Sequence, residues 1–269
     1  MRRILLLMVV IASLVFVAVG LHGALQSPRI VRYKVPIIGL QAPLRIVQLS
    51  DTHANWITMR PDRLASVVAK ANALKPDLFV LSGDYNSSHL FDWPWTTLEQ
   101  ALYSLAKLRA PLGVYAVGGN HDPPMWTRRV FARTPVRLLM AEVADAGPIL
   151  IAGAESLSVP PDPFGNLRRA VKNAPPGKPL IIVTHEPEFF QLLPRRAQLL
   201  IAGHTHGGQI LLPGLGALRP TTPFLEAHLR GLFREHGQTM VVSSGLGTSV
   251  LPLRIGVQPE IVEIMLVPA

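Results

Sequence analysis

Five apolar runs in this chain each break off into a cluster of Asp, Asn and His, and that recurrence limits the possible folds more than any other feature. Leu44 to Leu49 leads into Ser50-Asp51-Thr52-His53, and Leu78 to Leu81 into Ser82-Gly83-Asp84. Gly113 to Val117 leads into Gly118-Gly119-Asn120-His121-Asp122, and Pro179 to Val183 into Thr184-His185-Glu186-Pro187. Leu199 to Ala202 ends in Gly203-His204-Thr205-His206-Gly207-Gly208-Gln209. Short continuous apolar runs bounded by turn residues read as buried strands. Between them, Leu64, Val67, Val68 and Ala71 recur at helical spacing from Pro61 to Leu74, and further helices are expected from Thr96 to Arg109 and from Phe164 to Lys172. This alternation predicts an α/β chain whose sheet is mainly parallel and covered by helices, with ligands gathered at the carboxyl ends of its strands. Val136 to Leu139 and Ile149 to Ala152 add short runs, and Met240 to Val242 with Ile261 to Val267 are expected to close the second half of a sandwich. Pro213 to His236, rich in Pro and Gly, reads as a loop or short helix near the cleft mouth, or as a solvated excursion; it carries Arg219, Arg230 and Arg234.

A chain of 269 residues suits one large domain. It divides into a membrane anchor or signal segment at 1–25, a linker at 26–43 and a single domain at 44–269. Ile4 to Leu21 is apolar apart from Ser13, and as a helix it spans about 27 Å, close to a bilayer core. The run exceeds the usual apolar region of a secretory signal, which favours an uncleaved anchor in the inner (cytoplasmic) membrane over export after cleavage near Ala18-Val19-Gly20. Arg2 and Arg3 before the segment are matched by Arg29, Arg32 and Lys34 after it, so charge does not select the side on which the domain lies.

There is no cysteine, which excludes disulfides, thiolate metal sites and cysteine nucleophiles. A formal charge of +9 favours anionic partners. Without a run of basic and aromatic residues, phosphates suit that charge better than nucleic acid does. The glycine-rich turn Ser243 to Thr248 lacks phosphate-loop spacing and its Lys, so it is given no nucleotide role.

The strand ends collect Asp51, His53, Asp84, Asn120, His121, His185, His204 and His206, with five of the nine histidines of the chain. Any one of them is explained as a capped loop residue; all of them together are better explained by two divalent metals. A carboxylate bridges the pair, imidazoles complete each shell, and Asn120 adds an oxygen without charge. Two carboxylates against two dications leave a positive site that attracts phosphate and acidifies a bound water to a hydroxide nucleophile. Mn, Fe and Zn all accept this oxygen and nitrogen set.

The motif order Asp51-Thr52-His53, Gly83-Asp84, Gly119-Asn120-His121-Asp122, His185 and Gly203-His204-Thr205-His206 resembles that of the calcineurin-like metallophosphoesterases. The resemblance spans about Leu44 to His206 and implies a metallophosphoesterase-type β-sandwich flanked by helices, here behind an N-terminal transmembrane helix. It implies that Asp51, His53 and His206 hold one metal, that Asn120, His185 and His204 hold the other, and that Asp84 bridges. It also implies that His121 contacts the phosphate or protonates the leaving group, with Asp122 orienting its imidazole. Thr52 stands where the family commonly has Leu. Gly207-Gly208-Gln209, Gly245 to Thr248, Pro252-Leu253-Arg254 and Pro259-Glu260-Ile261 are similar to the membrane-associated bacterial branch that includes YaeI and YkuE, itself similar to a UDP-2,3-diacylglucosamine pyrophosphatase of lipid A synthesis.

These readings lead to a metal-dependent hydrolase of phosphodiester or pyrophosphate bonds, acting on a phosphorylated small molecule or a lipid-linked substrate such as UDP-2,3-diacylglucosamine. A general envelope phosphodiesterase or phosphomonoesterase is the enzymatic alternative, and a metal-stabilised binding scaffold the non-enzymatic one. Arg230, Arg234 and Arg254 are candidate substrate contacts, weighed against surface or structural pairing.

Overall fold

The structure, a computed structural model, describes residues 1–87, 89, 96–212, 214–217 and 222–269. The chain begins with α1 (Arg2–Leu25), β1 (Arg29–Ile37), β2 (Leu44–Leu49), α2 (Pro61–Asn72), β3 (Leu78–Ser82), α3 (Thr96–Leu105) and β4 (Val114–Val117). It continues with α4 (Pro124–Phe131), β5 (Arg137–Leu138), β6 (Glu142–Asp145), β7 (Leu150–Gly153), α5 (Pro163–Lys172), β8 (Leu180–Val183) and β9 (Ala197–Ala202). The last third holds β10 (Leu211–Leu212), β11 (Gly216–Ala217), α6 (Pro223–Ala227), β12 (Gly231–Glu235), β13 (Gln238–Val242) and β14 (Glu260–Pro268).

Two six-stranded sheets face each other, in the orders β1-β14-β2-β3-β4-β5 and β12-β13-β9-β8-β7-β6. Period-two alternation within the apolar runs makes three apolar layers from them. Ile46, Val80 and Val117 of the first sheet meet Ile151, Ile181 and Ile201 of the second between the sheets. Val47, Leu49, Phe79 and Leu81 point the other way, onto Leu64, Val67 and Val68 of α2 and Leu102 of α3. On the far side, Ala152, Ile182, Leu200 and Val242 cover Leu167 and Val171 of α5 together with Phe189. Helices thus flank a sandwich, and because both faces of the central strands are buried, those strands read as continuous apolar runs.

Most neighbours are parallel, but β14 runs antiparallel to β2, as do β6 to β7 and β12 to β13. Two expectations are corrected here. The segment 26–43 is more than a linker: β1 pairs in parallel with β14 along its whole length, from Arg29 opposite Glu260 to Ile37 opposite Pro268. Accordingly β14 lies in the first sheet, between β1 and β2, and only β13 belongs to the second. The stretch Pro213 to His236, read as a loop or short helix, holds the short helix α6 and adds the strand β12; Arg219 falls outside the described residues.

The carboxyl ends of β2, β3 and β4 in one sheet and of β8 and β9 in the other converge at one end of the sandwich. Gln48, fully buried, ties the sheets together beneath that point: its side-chain amide donates to Ser82 Oγ at 2.8 Å and to the Ala202 carbonyl at 2.7 Å. Backbone bonds from Asp51 N to Gly83 O and from Gly203 N to His185 O, both 3.0 Å, stitch the loops above it. Among the described residues α1 is the one helix long and apolar enough to cross a membrane, with a mean hydropathy of 3.1.

Candidate metal centre

The loops that follow these strands place their donors by unusual backbone. Asp51, His53, Asp84, His204 and His206 all have φ between 39° and 73°, the left-handed region that non-glycine residues seldom occupy. Such strain clusters where surrounding structure overrides local preference to aim side chains. Glycine appears where even a Cβ is excluded: one added at Gly119 would run into the Asp84 carboxylate, and one at Gly245 would lie 2.7 Å from Asp51 Cβ.

Two donor clusters result, and they share Asp84. Asp51, His53, Asp84 and His206 form one, all buried; Asp84, His185 and His204 form the other. Asp84 Oδ2 lies 3.3 Å from His53 Nε2 and 3.2 Å from His185 Nε2. Asn120 Oδ1 joins the second cluster at 3.0 Å from both His185 Nε2 and His204 Nδ1. Asp51 Oδ1 is 3.5 Å from His206 Nε2, and its carboxylate also accepts from the His204 amide at 3.0 Å and from the Ser50 hydroxyl. The seven residues that the sequence assigned to metal are therefore together, at the carboxyl ends of strands from both sheets.

The chemistry of this set fits divalent cations. His53 Nδ1 is 2.9 Å from the Asn86 carbonyl and His185 Nδ1 is 2.8 Å from the Ser82 carbonyl, contacts that require the proton on Nδ1. Each ring then turns the lone pair of Nε2 toward Asp84, the tautomer that a metal needs. Imidazole nitrogens also face one another, His53 Nε2 to His206 Nε2 and His204 Nδ1 to His185 Nε2, both at 3.1 Å. Lone pairs so close repel unless a cation or proton lies between them.

The electrostatics agree. Burial opposes charge on His185, yet the Asp84 carboxylate beside it raises the imidazole well above its ordinary range. Burial likewise opposes ionisation of Asp84, but His185 and His53 hold its carboxyl well below the usual value. Burial, followed by repulsion from Asp84, raises Asp51. Burial and neighbouring His53 push His206 well below the ordinary imidazole range. Protons thus take the place that a cation fills in such a donor set.

His121 sits above the clusters, half-exposed, its ring centroid 5.4 Å from that of His53, and lines the cleft that opens over the centre. Asp122 does not have the expected role of orienting that imidazole. Its Oδ1 accepts the amides of Tyr85 and Asn86, and its Oδ2 those of Asp84 and Gly119. With both oxygens committed to backbone, the carboxylate locks the Asp84 turn to the Gly119 turn. Burial and the nearby charge of Asp84 raise its pKa to about 6.

Among the arginines, Arg254 is a second correction. Arg254, expected at the substrate, is 1% exposed and lies under the centre. Its guanidinium donates to the carbonyls of Gly247 and Ser244 at 2.6 and 2.7 Å and reaches that of His206 at 3.4 Å, so it braces the loops and contacts nothing in the cleft. Arg234 is exposed on the edge strand β12, and neither it nor Arg230 is among the residues lining the cleft. The signal in the sequence was the apolar setting of Arg254, between Leu251-Pro252-Leu253 and Ile255, which marks a guanidinium that is buried and paired. The cleft walls missed by sequence reasoning are Ile210, Leu225, Leu229, Val250 and Leu251.

Comparison with known proteins agrees with this geometry. Residues 44–208, which carry every donor of both clusters, match the family model described as calcineurin-like phosphoesterase. The uncharacterized metallophosphoesterase YkuE of Bacillus subtilis is 32% identical over 233 residues, covering 81% of this chain and 77% of that protein. A Bos taurus transmembrane protein with metallophosphoesterase domain is 28% identical over 96% of this chain, which spans only 61% of that relative's length. A solved dimetal phosphatase from Danio rerio aligns with 77% of this chain and 88% of its own at 12% identity and a TM-score of 0.44, a likeness too slight to carry weight. With the family match reaching over more than half of its length, the chain belongs to the calcineurin-like phosphoesterases, metal-dependent hydrolases of phosphoesters.

Proposed function

We propose that the chain is a membrane-anchored phosphohydrolase that cleaves a phosphodiester or pyrophosphate bond at a pair of divalent cations. The observation that carries this reading is Asp84, whose single carboxylate lies between two donor clusters, with His53 and His185 each fixed through Nδ1 by a backbone carbonyl. Asp51, His53 and His206 would hold one cation, and Asn120, His185 and His204 the other. Cations there would supply an acidified water and positive charge against the phosphoryl oxygens. His121, half-exposed on the cleft wall, would contact the phosphate and give a proton to the departing oxygen, a role that its position on the cleft wall supports. Asp122 keeps the His121 backbone and the Asp84 turn in register, and His121 N donates to Asp84 Oδ1 at 2.9 Å.

The packing of α1 against the domain supports an anchor that is retained: Arg254 N donates to the Gly20 carbonyl at 2.8 Å, and Gly20 and Ala24 are buried. The inner membrane is the compartment this reading assigns, and fusing a reporter to the C-terminus identifies the side. The specific substrate that we propose is UDP-2,3-diacylglucosamine, with a general envelope phosphodiester as the second reading. Turnover of the nucleotide lipid from a cytoplasmic domain supports the first; a domain outside the membrane that cleaves only simple diesters supports the second.

The test of the reaction is metal analysis of the purified full chain together with hydrolysis of bis(p-nitrophenyl) phosphate. Mn, Fe or Zn at about two per chain, with turnover lost in Asp84→Ala, is the expected result. Bound metal without turnover on any phosphoester of a broad panel would leave a binding scaffold instead.

A further inference from the structure

The membrane anchor and the wall of the cleft are built on the same loop. Leu253 packs against Gly20 of α1, where an added Cβ would lie 2.9 Å from Leu253 Cβ, and a Cβ on Gly23 would meet the Arg254 carbonyl. Two and three residues earlier, Leu251 and Val250 line the cleft over the metal centre. From the other side, Arg63 caps the last turn of α1 by donating to the carbonyls of Ala24, Leu25 and Gln26 at 2.9, 2.6 and 2.8 Å. Residues 1–19 are exposed along their length, so α1 leaves the domain from the end of the sandwich at which the strands terminate in metal donors.

That same end carries apolar side chains with no cover. Trp56 is 52%, Ile57 42% and Leu251 40% exposed. They belong together, because Thr58 Oγ1 and Thr248 Oγ1 are 3.0 Å apart and join the two segments. Both segments lie within a few residues of a contact to α1: Arg63 follows one, and Leu253 the other. Val250 adds an independent sign. It holds φ at 63°, a conformation that is costly for a β-branched residue and free for glycine, and it lines the cleft. An apolar group is retained there despite the strain.

We infer that this face, with Trp56 and Ile57 at its tip, seats in the interfacial layer of the bilayer, and that the cleft takes an amphiphilic phosphoester directly from the membrane. The inference rests on the phosphohydrolase reading for its second half. Residues 2–19 of α1 span roughly 27 Å as a helix, so the bilayer surface falls near Gly20, level with the loop 250–254. Tryptophan at that depth puts its apolar ring in the acyl boundary and its N–H toward water. The phosphate would sit at the Asp84 centre, and the hydrocarbon would run out past Ile210, Leu225, Leu229, Val250 and Leu251, a wall of a cleft of about 300 Å³. No lipid need be lifted out of the membrane.

The absence of cysteine makes the seat measurable in the full chain. Single variants Trp56→Cys and Ile57→Cys carry a spin label in phosphatidylcholine vesicles, with Ile38→Cys as a control at the opposite end of the sandwich, where Ile38 is 73% exposed. The expected result is relaxation by dissolved oxygen over a water-soluble nickel chelate at 56 and 57, and the reverse at 38. Labels at 56 and 57 that behave like the label at 38, or that are shielded from both relaxants as by a protein partner, would overturn the seat. A second measurement tests substrate access. Trp56→Ser combined with Ile57→Ser should keep the rate on soluble bis(p-nitrophenyl) phosphate and lose roughly tenfold on hexadecyl p-nitrophenyl phosphate held in the vesicles. Unchanged rates on both overturn the access route. If the metal-loaded wild type turns over neither compound, the hydrolase reading fails while the label depths still decide the seat.

Discussion

Asp84 and Arg254 show how much a single side chain can organise at this site. Replacing Asp84 by Asn keeps its size but removes the charge that both donor clusters share, so metal content and turnover should fall together, by well over a hundredfold in rate. Metal analysis beside an aryl phosphodiester assay checks this, and a variant that kept its metal pair would contradict the shared role. Protons should compete with metal. Since Asp84 raises the His185 imidazole, the metal-free site holds a proton that a cation must displace, and raising the pH removes it. Metal affinity should therefore tighten as pH rises through the raised pKa of His185, with proton release seen by calorimetry in buffers of different ionisation enthalpy. Arg254→Met should unfold more easily, by about 3 kcal/mol, because the carbonyls of Ser244 and Gly247 lose a buried donor. Thermal unfolding measures that cost. The donor clusters were legible in the sequence because five apolar runs all end in Asp, Asn or His, a recurrence that no single one of those positions carries. The bonds of Arg254 and Asp122 were not, since a charged side chain bonded to backbone carbonyls or amides has no motif: the apolar neighbours of Arg254 signal its burial, but its partners are peptide groups that any sequence supplies.

At the scale of elements, legibility followed burial. Strands covered on both faces, β2, β3, β4, β8 and β9, carry mainly apolar runs, with Arg45 and Gln48 in β2 and Gln198 in β9 as polar interruptions, and their carboxyl ends were found with them. The edge strand β1 was missed for the opposite reason. Arg29, Arg32, Lys34 and Pro36 interrupt it, as suits a sheet edge protected from further pairing. Its acceptors are remote in sequence: Arg29 pairs with Glu260 and Arg32 with Glu263, each at 2.9 Å, and no local pattern announces a partner more than two hundred residues away. The same remoteness hid the position of β14 beside β2. If β1 belongs to the domain, a chain starting at Leu40 should be less stable than one starting at Gln26 by roughly 3–6 kcal/mol, the burial lost with Val35 and Ile37. Urea unfolding of the two distinguishes them, and equal midpoints would return residues 26–43 to the status of a linker.

At the scale of the whole molecule, the apolar helix α1 and the donor clusters are joined by one continuous set of contacts. Arg254 N donates to the Gly20 carbonyl of α1 while its guanidinium holds carbonyls of the Ser244 and Gly247 turn, which in turn packs on Asp51. Glycine at position 23 is what permits this approach, since any side chain there would strike the Arg254 carbonyl. Gly23→Val should therefore push α1 off the loop without touching a strand of either sheet. The Arg254 amide, now bonded to Gly20, should lose its protection against hydrogen exchange, whereas amides of β3 and β9 should keep theirs. Global stability should change little, because most of α1 contacts no other part of the domain. Exchange measured by mass spectrometry on the full chain in detergent reads both regions at once. Protection retained at residue 254 would mean that the helix and the loop are held by something other than this glycine contact, and the proposed alignment of cleft with membrane would lose this support.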